Sequence, residues 1–371
     1  STYSTRLINL FPLLGFALLC QILVAEKTKP NILWMTSEDN SIEWISCYGS
    51  KNAKTPHIDQ LAKEGFRYLY CFDNGAVCAP TRSSWITGMH SISNGTQPMR
   101  SGFEIPASVS FYNELLQKAG YFTSNCSKTD YNLRGPKGRN PKDFWNYSGK
   151  DYAGTWKKRK EGQPFFTVYN IGDSHESRAF GDPKDESVDP EKMILAPYHP
   201  DLPEMRNTYA KYSSAISKMD SLVGQAIENL KQDGLYENTI IVYNSDHGGV
   251  LARSKRFLYS SGIHCPLIVR IPEQMKHLYP QGKSPGSTID RIVSFIDMPK
   301  TWVSLTGAEM KGNLGSIHST EDLYKLVIAI AIFQALLYML TFFIKGIFLY
   351  FTRQTIIVNS RLMEFSLKKK I

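Results

Sequence analysis

Apolar residues in the middle of the chain follow two spacings, which together predict alternating strands and helices. Short, mostly apolar runs predict strands at 31–36, 121–124, 165–169, 239–244 and 267–271. Helices are predicted at 57–65 and 113–120, which both end near a glycine, and at 206–234, where apolar residues recur at helical spacing. This alternation predicts an α/β fold with a mainly parallel central sheet flanked by helices.

Polar clusters follow three of the predicted strands. They are Ser-Glu-Asp-Asn at 37–40, Asp-Ser-His-Glu at 173–176 and Ser-Asp-His-Gly at 245–248. Ligands of such sheets bind beyond the carboxyl ends of the strands. Because all three clusters fall at strand ends of this kind, the sequence predicts that they form one site.

Composition and charge narrow the class of protein only slightly. The 371 residues are 42% hydrophobic, which is enough to build a buried core. The 43 basic and 34 acidic residues give a net charge of +9, which would attract polyanions, nucleic acid or anionic lipid. The basic residues form no stripe with interleaved aromatic residues and no nucleic-acid motif, so no nucleic-acid partner is expected.

The six cysteines, at 20, 47, 71, 78, 126 and 265, form no C-x-x-C pair and are too sparse for a disulfide scaffold. They therefore predict no zinc site.

The first 28 residues have the pattern of an export signal. Arg6 precedes the apolar run 7–24, and the small Ala25 and the charged 26–27 follow it. Residues 1–28 are therefore predicted to be a signal peptide or N-terminal anchor, and the protein to be periplasmic or extracellular. Cys20 leaves a lipid anchor open, although the residue before it, Leu19, is larger than a lipoprotein signal prefers.

A short motif carries the strongest functional signal. The run Cys78-Ala79-Pro80-Thr81-Arg82, with Thr-Gly at 87–88, resembles the signature C-x-P-S/T-R of sulfatases, which belong to the alkaline-phosphatase-like superfamily. Alone, it is also compatible with a buried cysteine ahead of a helix. The motif lies about forty residues after the first acidic cluster and long before Ser-Asp-His-Gly, the order found in sulfatases.

The resemblance implies a nucleophile and a metal ion. A maturation enzyme would oxidise Cys78 to formylglycine, whose hydrate attacks sulfur with one hydroxyl and expels sulfate with the other. Glu38, Asp39, Asp246 and His247 match the positions that bind Ca²⁺, a cation that offsets charge on the sulfuryl oxygens. The family usually has Asp where this chain has Glu38. An acidic strand end by itself would equally suit a solvated turn or a helix cap.

The resemblance assigns four further residues. Arg82 would hold the nucleophile and the bound anion, and His175 would donate a proton to the leaving group. Lys128 and Lys255 would contact the sulfate. Surface salt bridges or solvated side chains remain the alternative for Arg82 and for Lys255. Asp130 stands where most members have a second histidine, so that residue is either missing or replaced from elsewhere.

Four runs resemble sulfatases related to heparan N-sulfatase. They are S-E-D-N, K-T-D-Y-N, H-E-S-R and L-Y-x-S-G-I-H-x-P. The resemblance implies a sulfated glycan, or a small sulfate ester, as substrate. Two alternatives stay open: a phosphate or phosphonate ester hydrolase of the same superfamily, and an inactive truncated remnant that binds a glycan.

The resemblance covers 29–312, the predicted catalytic core, and stops before the small C-terminal antiparallel subdomain of the family. After a junction at 313–325, the apolar run 326–344 is long enough to cross a membrane. The tail 326–371 resembles a transmembrane helix of an ABC exporter, with a basic end but no nucleotide-binding motif. We expect a fused or misassembled reading frame that folds poorly, and the alternative is a membrane-tethered sulfatase.

Overall fold

The computed structural model describes residues 29–180 and 188–309, and within them a twisted sheet of eight strands organises the chain. Its strands are β1 (Asn31–Ser37), β2 (Phe66–Phe72), β4 (Phe122–Cys126), β6 (Tyr147–Ser148), β7 (Phe165–Ile171), β8 (Thr239–Ser245), β9 (His264–Arg270) and β10 (Thr288–Ser294). Two short strands, β3 (Phe103–Glu104) and β5 (Leu133–Arg134), pair separately in parallel.

The spatial order of the sheet is β10-β2-β9-β8-β1-β7-β4-β6. Strand β9 runs antiparallel to both β2 and β8, and the other neighbours in this described sheet are parallel. The predicted α/β class with a mainly parallel sheet is therefore confirmed. Strand β1 lies at its centre between β7 and β8, so loops that follow these three strands start side by side.

Helices cover the sheet on both faces. They are α1 (Pro56–Glu64), α2 (Cys78–Thr87), α3 (Tyr112–Lys118), α4 (Pro203–Gln232), the single turn α5 (Ser260–Ile263) and α6 (Met298–Thr306). In β1, Ile32 and Trp34 belong to one core, and Leu33 and Met35 belong to the other. Because both faces of the central strands are buried, their polar side chains collect at the strand ends.

The predicted strands and helices are present, with ends shifted by a few residues. Strands β2 and β10, which lie towards one edge of the sheet, were not predicted. Their half-buried and exposed positions break the continuous apolar run that marks a central strand. The short helix α2 is also hard to find from periodicity, since all ten of its residues are buried and no polar face remains.

Several predictions concern residues outside the described ranges. They are the signal or anchor at 1–28, the junction at 313–325 and the membrane-crossing tail at 326–371, and all stay predictions. In the parts of the chain that the structure does describe, no helix combines the length and apolar character needed to cross a bilayer.

Candidate active site

The three polar clusters meet at one end of the sheet, as predicted. Ser37, the last residue of β1, pairs in register with Ile171 of β7 and Ser245 of β8, so the following loops emerge together. The Asp39 backbone N–H donates to Asp246 Oδ1 at 2.9 Å. These contacts hold the loop after β1 against the loop after β8.

Asp39, Asp246 and His247 form a fully buried cluster. One ligand atom from each lies within 4.8 Å of the others. His247 Nε2 lies 2.9 Å from Asp39 Oδ1 and 3.6 Å from Asp246 Oδ1. Neither Asp39 Oδ1 nor His247 Nε2 has an aligned hydrogen-bond partner within the described residues. Buried, unsatisfied carboxylate and imidazole atoms fit a bound cation, so three of the four predicted ligands suit a metal ion.

The charges in this cluster shift one another's protonation. Burial opposes the charged form of His247, but the carboxylates of Asp246 and Asp39 raise its pKa well above the usual value. Burial also opposes ionisation of Asp39, yet His247 and Lys255 lower the pKa of that carboxyl. A positive charge is therefore favoured between the two carboxylates, and a metal ion would compete with the imidazole proton for that position.

Glu38, the fourth predicted ligand, lies in a neighbouring cluster with Asp39 and His175. Its Oε2 accepts a hydrogen bond from Lys128 Nζ at 2.7 Å. His175 Nε2 lies 3.9 Å from the same Glu38 oxygen and 4.0 Å from Asp39 Oδ2. Glu38 therefore borders the buried cluster, and one of its oxygens is committed to a lysine.

Cys78 is the first residue of α2 and is only 4% exposed. Its side chain lies close enough to that of His247 to help raise the pKa of the imidazole, which puts the predicted nucleophile at the edge of the metal cluster. One turn later, Arg82 donates to Asp246 Oδ2 from Nε at 3.2 Å and from Nη2 at 3.0 Å. Its Nη1 donates to Asn170 Oδ1 at 2.5 Å. Arg82 is therefore a buried, fully engaged cation and not a surface salt bridge.

The two predicted sulfate-binding lysines pair with adjacent carboxylates of the loop after β1. Lys255 Nζ donates to Asp39 Oδ2 at 2.8 Å, as Lys128 does to Glu38. Lys128 Nζ also lies 3.9 Å from Asp130 Oδ2, the residue at the position of the missing histidine. The structure therefore places an acidic partner for Lys128 where most of the family has a histidine.

Known proteins resemble this chain over most of its length. The family model named Sulfatase matches residues 30–308. The chain belongs to the sulfatase family. That family comprises sulfuric ester hydrolases, and the observed sheet has the alkaline-phosphatase-like sulfatase fold.

Two curated relatives and one solved structure illustrate the similarity. The chain is 33% identical over 332 residues to an ulvan-active sulfatase of Formosa agariphila, covering 76% of this chain and 53% of that protein. It is 23% identical to the N-sulphoglucosamine sulphohydrolase of Homo sapiens, covering 74% and 62%. The phosphonate monoester hydrolase of Agrobacterium radiobacter has the same fold, with a TM-score of 0.60, 17% identity, and 76% and 74% of the two chains covered. The chain thus spans about half to three fifths of the length of these curated relatives.

The structure adds sulfatase-site residues that the sequence analysis did not assign. The backbone N–H of Glu176 donates a hydrogen bond to Asp39 Oδ2 at 2.7 Å. The carboxylate of Glu176 accepts hydrogen bonds from Nη1 and Nη2 of Arg256, each at 3.0 Å. Glu176 belongs to the polar cluster at 173–176, although it received no role of its own, and Arg256 directly follows the assigned Lys255.

Asp73 supports the turn before the nucleophile and was also missed. It accepts hydrogen bonds from Gly75 N at 3.0 Å, from Ala76 N and from Thr81 Oγ1 at 2.7 Å. Burial raises the pKa of this carboxyl to about 6. Asp73 therefore fixes the backbone that presents Cys78.

Steric crowding explains why the last residue of Ser-Asp-His-Gly is a glycine. A Cβ on Gly248 would lie 2.0 Å from the Ser261 carbonyl oxygen, so a side chain there would push the two loops apart.

Proposed function

We propose that this protein hydrolyses sulfate ester or N-sulfate groups of a sulfated glycan, with Cys78 matured to formylglycine and with bound calcium. The observation that carries the proposal is the buried cluster of Asp39, Asp246 and His247, with the buried Cys78 of the sulfatase motif beside His247. The names of the relatives support the substrate class, since one is active on ulvan and another acts on N-sulphoglucosamine.

Calcium would be held by Asp39, Asp246 and His247, with Glu38 at the border of the site. The donor set is mostly carboxylate oxygen, which suits a hard cation, and two of its atoms lack other partners among the described residues. When bound, the ion would offset negative charge on the sulfuryl oxygens.

Residue 78 needs maturation, because an unmodified thiol cannot release its sulfate without an outside water. A formylglycine-generating enzyme would supply the aldehyde, whose hydrate offers a hydroxyl as nucleophile. His247 would hydrogen-bond to this residue, and Arg82, fixed by Asp246, would keep a permanent positive charge one helical turn away. The hydrogen bond would orient the attacking group before substrate arrives, and the charge would favour the sulfate anion.

The leaving group requires a proton donor at the outer side of the site. His175 is half-buried, and its Nδ1 lies 3.0 Å from Ser177 Oγ, which orients the ring with Nε2 towards Glu38 and Asp39. From there it would protonate the departing oxygen or nitrogen. Lys128 and Lys255 would turn from their carboxylates towards the sulfate as it binds.

The test is maturation and turnover of the same preparation. The full chain is co-expressed with a formylglycine-generating enzyme, and the peptide that contains Cys78 is analysed by mass spectrometry and with an aldehyde-reactive probe. We expect the lighter, aldehyde-bearing residue, together with sulfate release from sulfated oligosaccharides. A fully converted protein that releases no sulfate from any sulfated ester, amine or glycan would contradict the proposal.

The likeness to the phosphonate monoester hydrolase favours one second candidate. Parallel assays of sulfate, phosphate and phosphonate monoesters separate the two reactions, since the preferred leaving anion is measured directly. Saturable glycan binding by the converted protein, without release of any anion, would instead support a binding remnant.

Export to the periplasm or cell exterior is part of the proposal, because polysaccharides do not cross membranes.

A further inference from the structure

Each predicted sulfate-binding lysine is linked to the protein surface through a second carboxylate and an arginine. Lys255 Nζ lies 3.3 Å from Glu176 Oε2, and Glu176 pairs with Arg256. In the same way, Lys128 lies near Asp130, which pairs with Arg100 Nη1 at 3.5 Å. Two rows of ion-paired side chains, alternately positive and negative, therefore run outwards from the loop after β1.

Arg256 and Arg100 are the outermost residues of these two rows, and both are exposed to solvent. Their side chains are 58% and 75% exposed, whereas that of Lys255 is 4% exposed. Exposed ion pairs of this kind contribute little to stability and exchange partners readily. The two arginines can therefore turn to an incoming anion at small cost.

Both arginines are held in place by their backbone. Arg256 has a left-handed φ of 74°, and its N–H donates to the carbonyl of Ala76, two residues before Cys78, at 2.8 Å. Arg100 has a φ of 59°, and the next residue, Ser101, donates its N–H to Asn132 Oδ1 at 2.9 Å. Non-glycine residues adopt this region only where surrounding contacts enforce it, so the positions of both side chains are built into the site.

With the His247 imidazole neutral, as metal binding requires, the charges in these ion pairs balance. Five carboxylates face five cations: Glu38, Asp39, Asp130, Glu176 and Asp246 against Arg82, Arg100, Lys128, Lys255 and Arg256. A divalent cation would leave an excess of two positive charges in a partly water-excluded site. Anions of the substrate would offset this excess, and one singly charged sulfate supplies only half of the charge.

Exposed apolar side chains directly follow Arg256. Phe257, Leu258 and Tyr259 are 52%, 79% and 49% exposed. The guanidinium of Arg253 lies 4.1 Å from the centre of the Tyr259 ring. An apolar surface rimmed by cations fits a ligand that combines flat, weakly polar faces with anionic groups, as charged sugar rings do.

We infer that Arg256 and Arg100 are specificity-determining residues, which bind further anionic groups of a glycan beside the sulfate that is hydrolysed. The planar guanidinium of Arg256 already makes two parallel hydrogen bonds to the Glu176 carboxylate, the geometry that also suits a sugar sulfate or uronate. The inference rests on the proposed function, since it concerns the substrate of that site. It predicts a glycan with at least two anionic groups near each other.

The test measures binding rather than turnover, so that it is independent of the proposed reaction. The full chain with Cys78→Ala, saturated with calcium, is titrated calorimetrically with inorganic sulfate and with a multiply sulfated heparin tetrasaccharide. Arg256→Ala and Arg100→Ala are compared with Lys276→Ala. Lys276 is an exposed cation that pairs with exposed Glu273 at 3.6 Å, and neither residue takes part in the ion pairs of the site.

We expect Arg256→Ala to weaken the tetrasaccharide about tenfold, at least fivefold more than it weakens sulfate, because one lost charge-assisted pair is worth about 1.4 kcal/mol. Arg100→Ala should have a smaller effect of the same kind, and Lys276→Ala none. Equal weakening of both ligands would assign Arg256 a structural role through Glu176 and Lys255. No weakening, or a tetrasaccharide that binds the parent no better than sulfate, would also overturn the inference. Failure of turnover alone would contradict only the proposed function.

Discussion

Two groups of charged side chains meet at this site, and they differ in how far water reaches them. In the inner group, Arg82, Asp39, Asp246 and His247 are at most 1% exposed. In the outer group, side-chain exposure rises from 20% at Lys128 and Asp130, through 31% at His175, to 75% at Arg100. The inner group lies beside Cys78, whereas the outer group is open to solvent.

This difference in exposure implies that ion pairs in the two groups differ in how much energy it takes to break them. A buried ion pair is costly to break, because the remaining charge is left without water or partner. An exposed pair is worth little and can exchange its partner for a ligand. The inner group therefore combines folding with chemistry, and the outer group is suited to choosing the substrate.

The largest expected effect is on turnover, at the centre of the inner group. Cys78→Ala should lower sulfate release at least about 1000-fold, because the nucleophile is lost, while the circular dichroism spectrum stays that of the parent. Cys47→Ala is the matched control, since burial raises the pKa of that thiol to about 12 and it lies outside the site. Turnover that survives in Cys78→Ala would remove this residue from the mechanism.

The contrast in stability should be clearest between two arginines. Arg82→Met removes the charge and the two hydrogen bonds that Arg82 donates to buried Asp246, so we expect the free energy of unfolding to fall by about 3 to 5 kcal/mol. Arg100→Met should cost less than about 1 kcal/mol, because its pair is exposed. Urea unfolding of both variants measures the difference. Equal losses would show that the inner and outer groups are not distinct in energy.

The inner group was easier to predict from the sequence than the outer one. Asp39, Asp246 and His247 follow apolar strands, and parallel strands bring their ends together whatever the loops do. Cys78 and Arg82 belong to a compact motif. In contrast, Arg256 and Glu176 lie 80 positions apart and meet through two irregular loops. Such a contact leaves no periodic pattern, so it could be found only in three dimensions.

Glu38, which stays a predicted metal ligand, shows what a family pattern leaves open about a position. Its place in the sequence marks it as a metal ligand, but its longer side chain reaches Lys128 at 2.7 Å. Strands β10, at one edge of the sheet, and β2, next to it, show the corresponding limit for the fold, since their half-buried and exposed positions resemble those of loops. In both cases the outcome depends on neighbours that the local sequence does not specify.

The pH dependence of stability tests Asp73, the support beneath the inner group. Its pKa is about 6 in the folded protein, raised by burial, against 3.8 as the ordinary value. The folded state therefore holds this proton more tightly, and the stability it contributes is complete below about pH 4 and lost as the pH rises through 6. We expect the parent to lose on the order of 2 to 3 kcal/mol relative to Asp73→Asn between pH 4 and 7.

Asp290→Asn, at an exposed position of β10, is the control for Asp73 and should follow the parent across this pH range. Unfolding in urea at each pH gives the three curves. Parallel curves for the parent and Asp73→Asn would mean that Asp73 titrates normally.

Stabilisation by calcium should depend on the buried ligands of the inner group more than on Glu38. If Asp39, Asp246 and His247 hold the ion, a calcium concentration of 100 times the dissociation constant should stabilise the parent by about 2.7 kcal/mol, and chelation should remove it. Asp39→Asn should abolish most of this shift, because it replaces a carboxylate whose Oδ1 lacks an aligned partner among the described residues. Glu38→Gln should keep most of it, since one Glu38 oxygen already pairs with Lys128. Melting temperatures with chelator and with added calcium measure all three proteins, and a larger loss in Glu38→Gln than in Asp39→Asn would move the metal site towards the outer group.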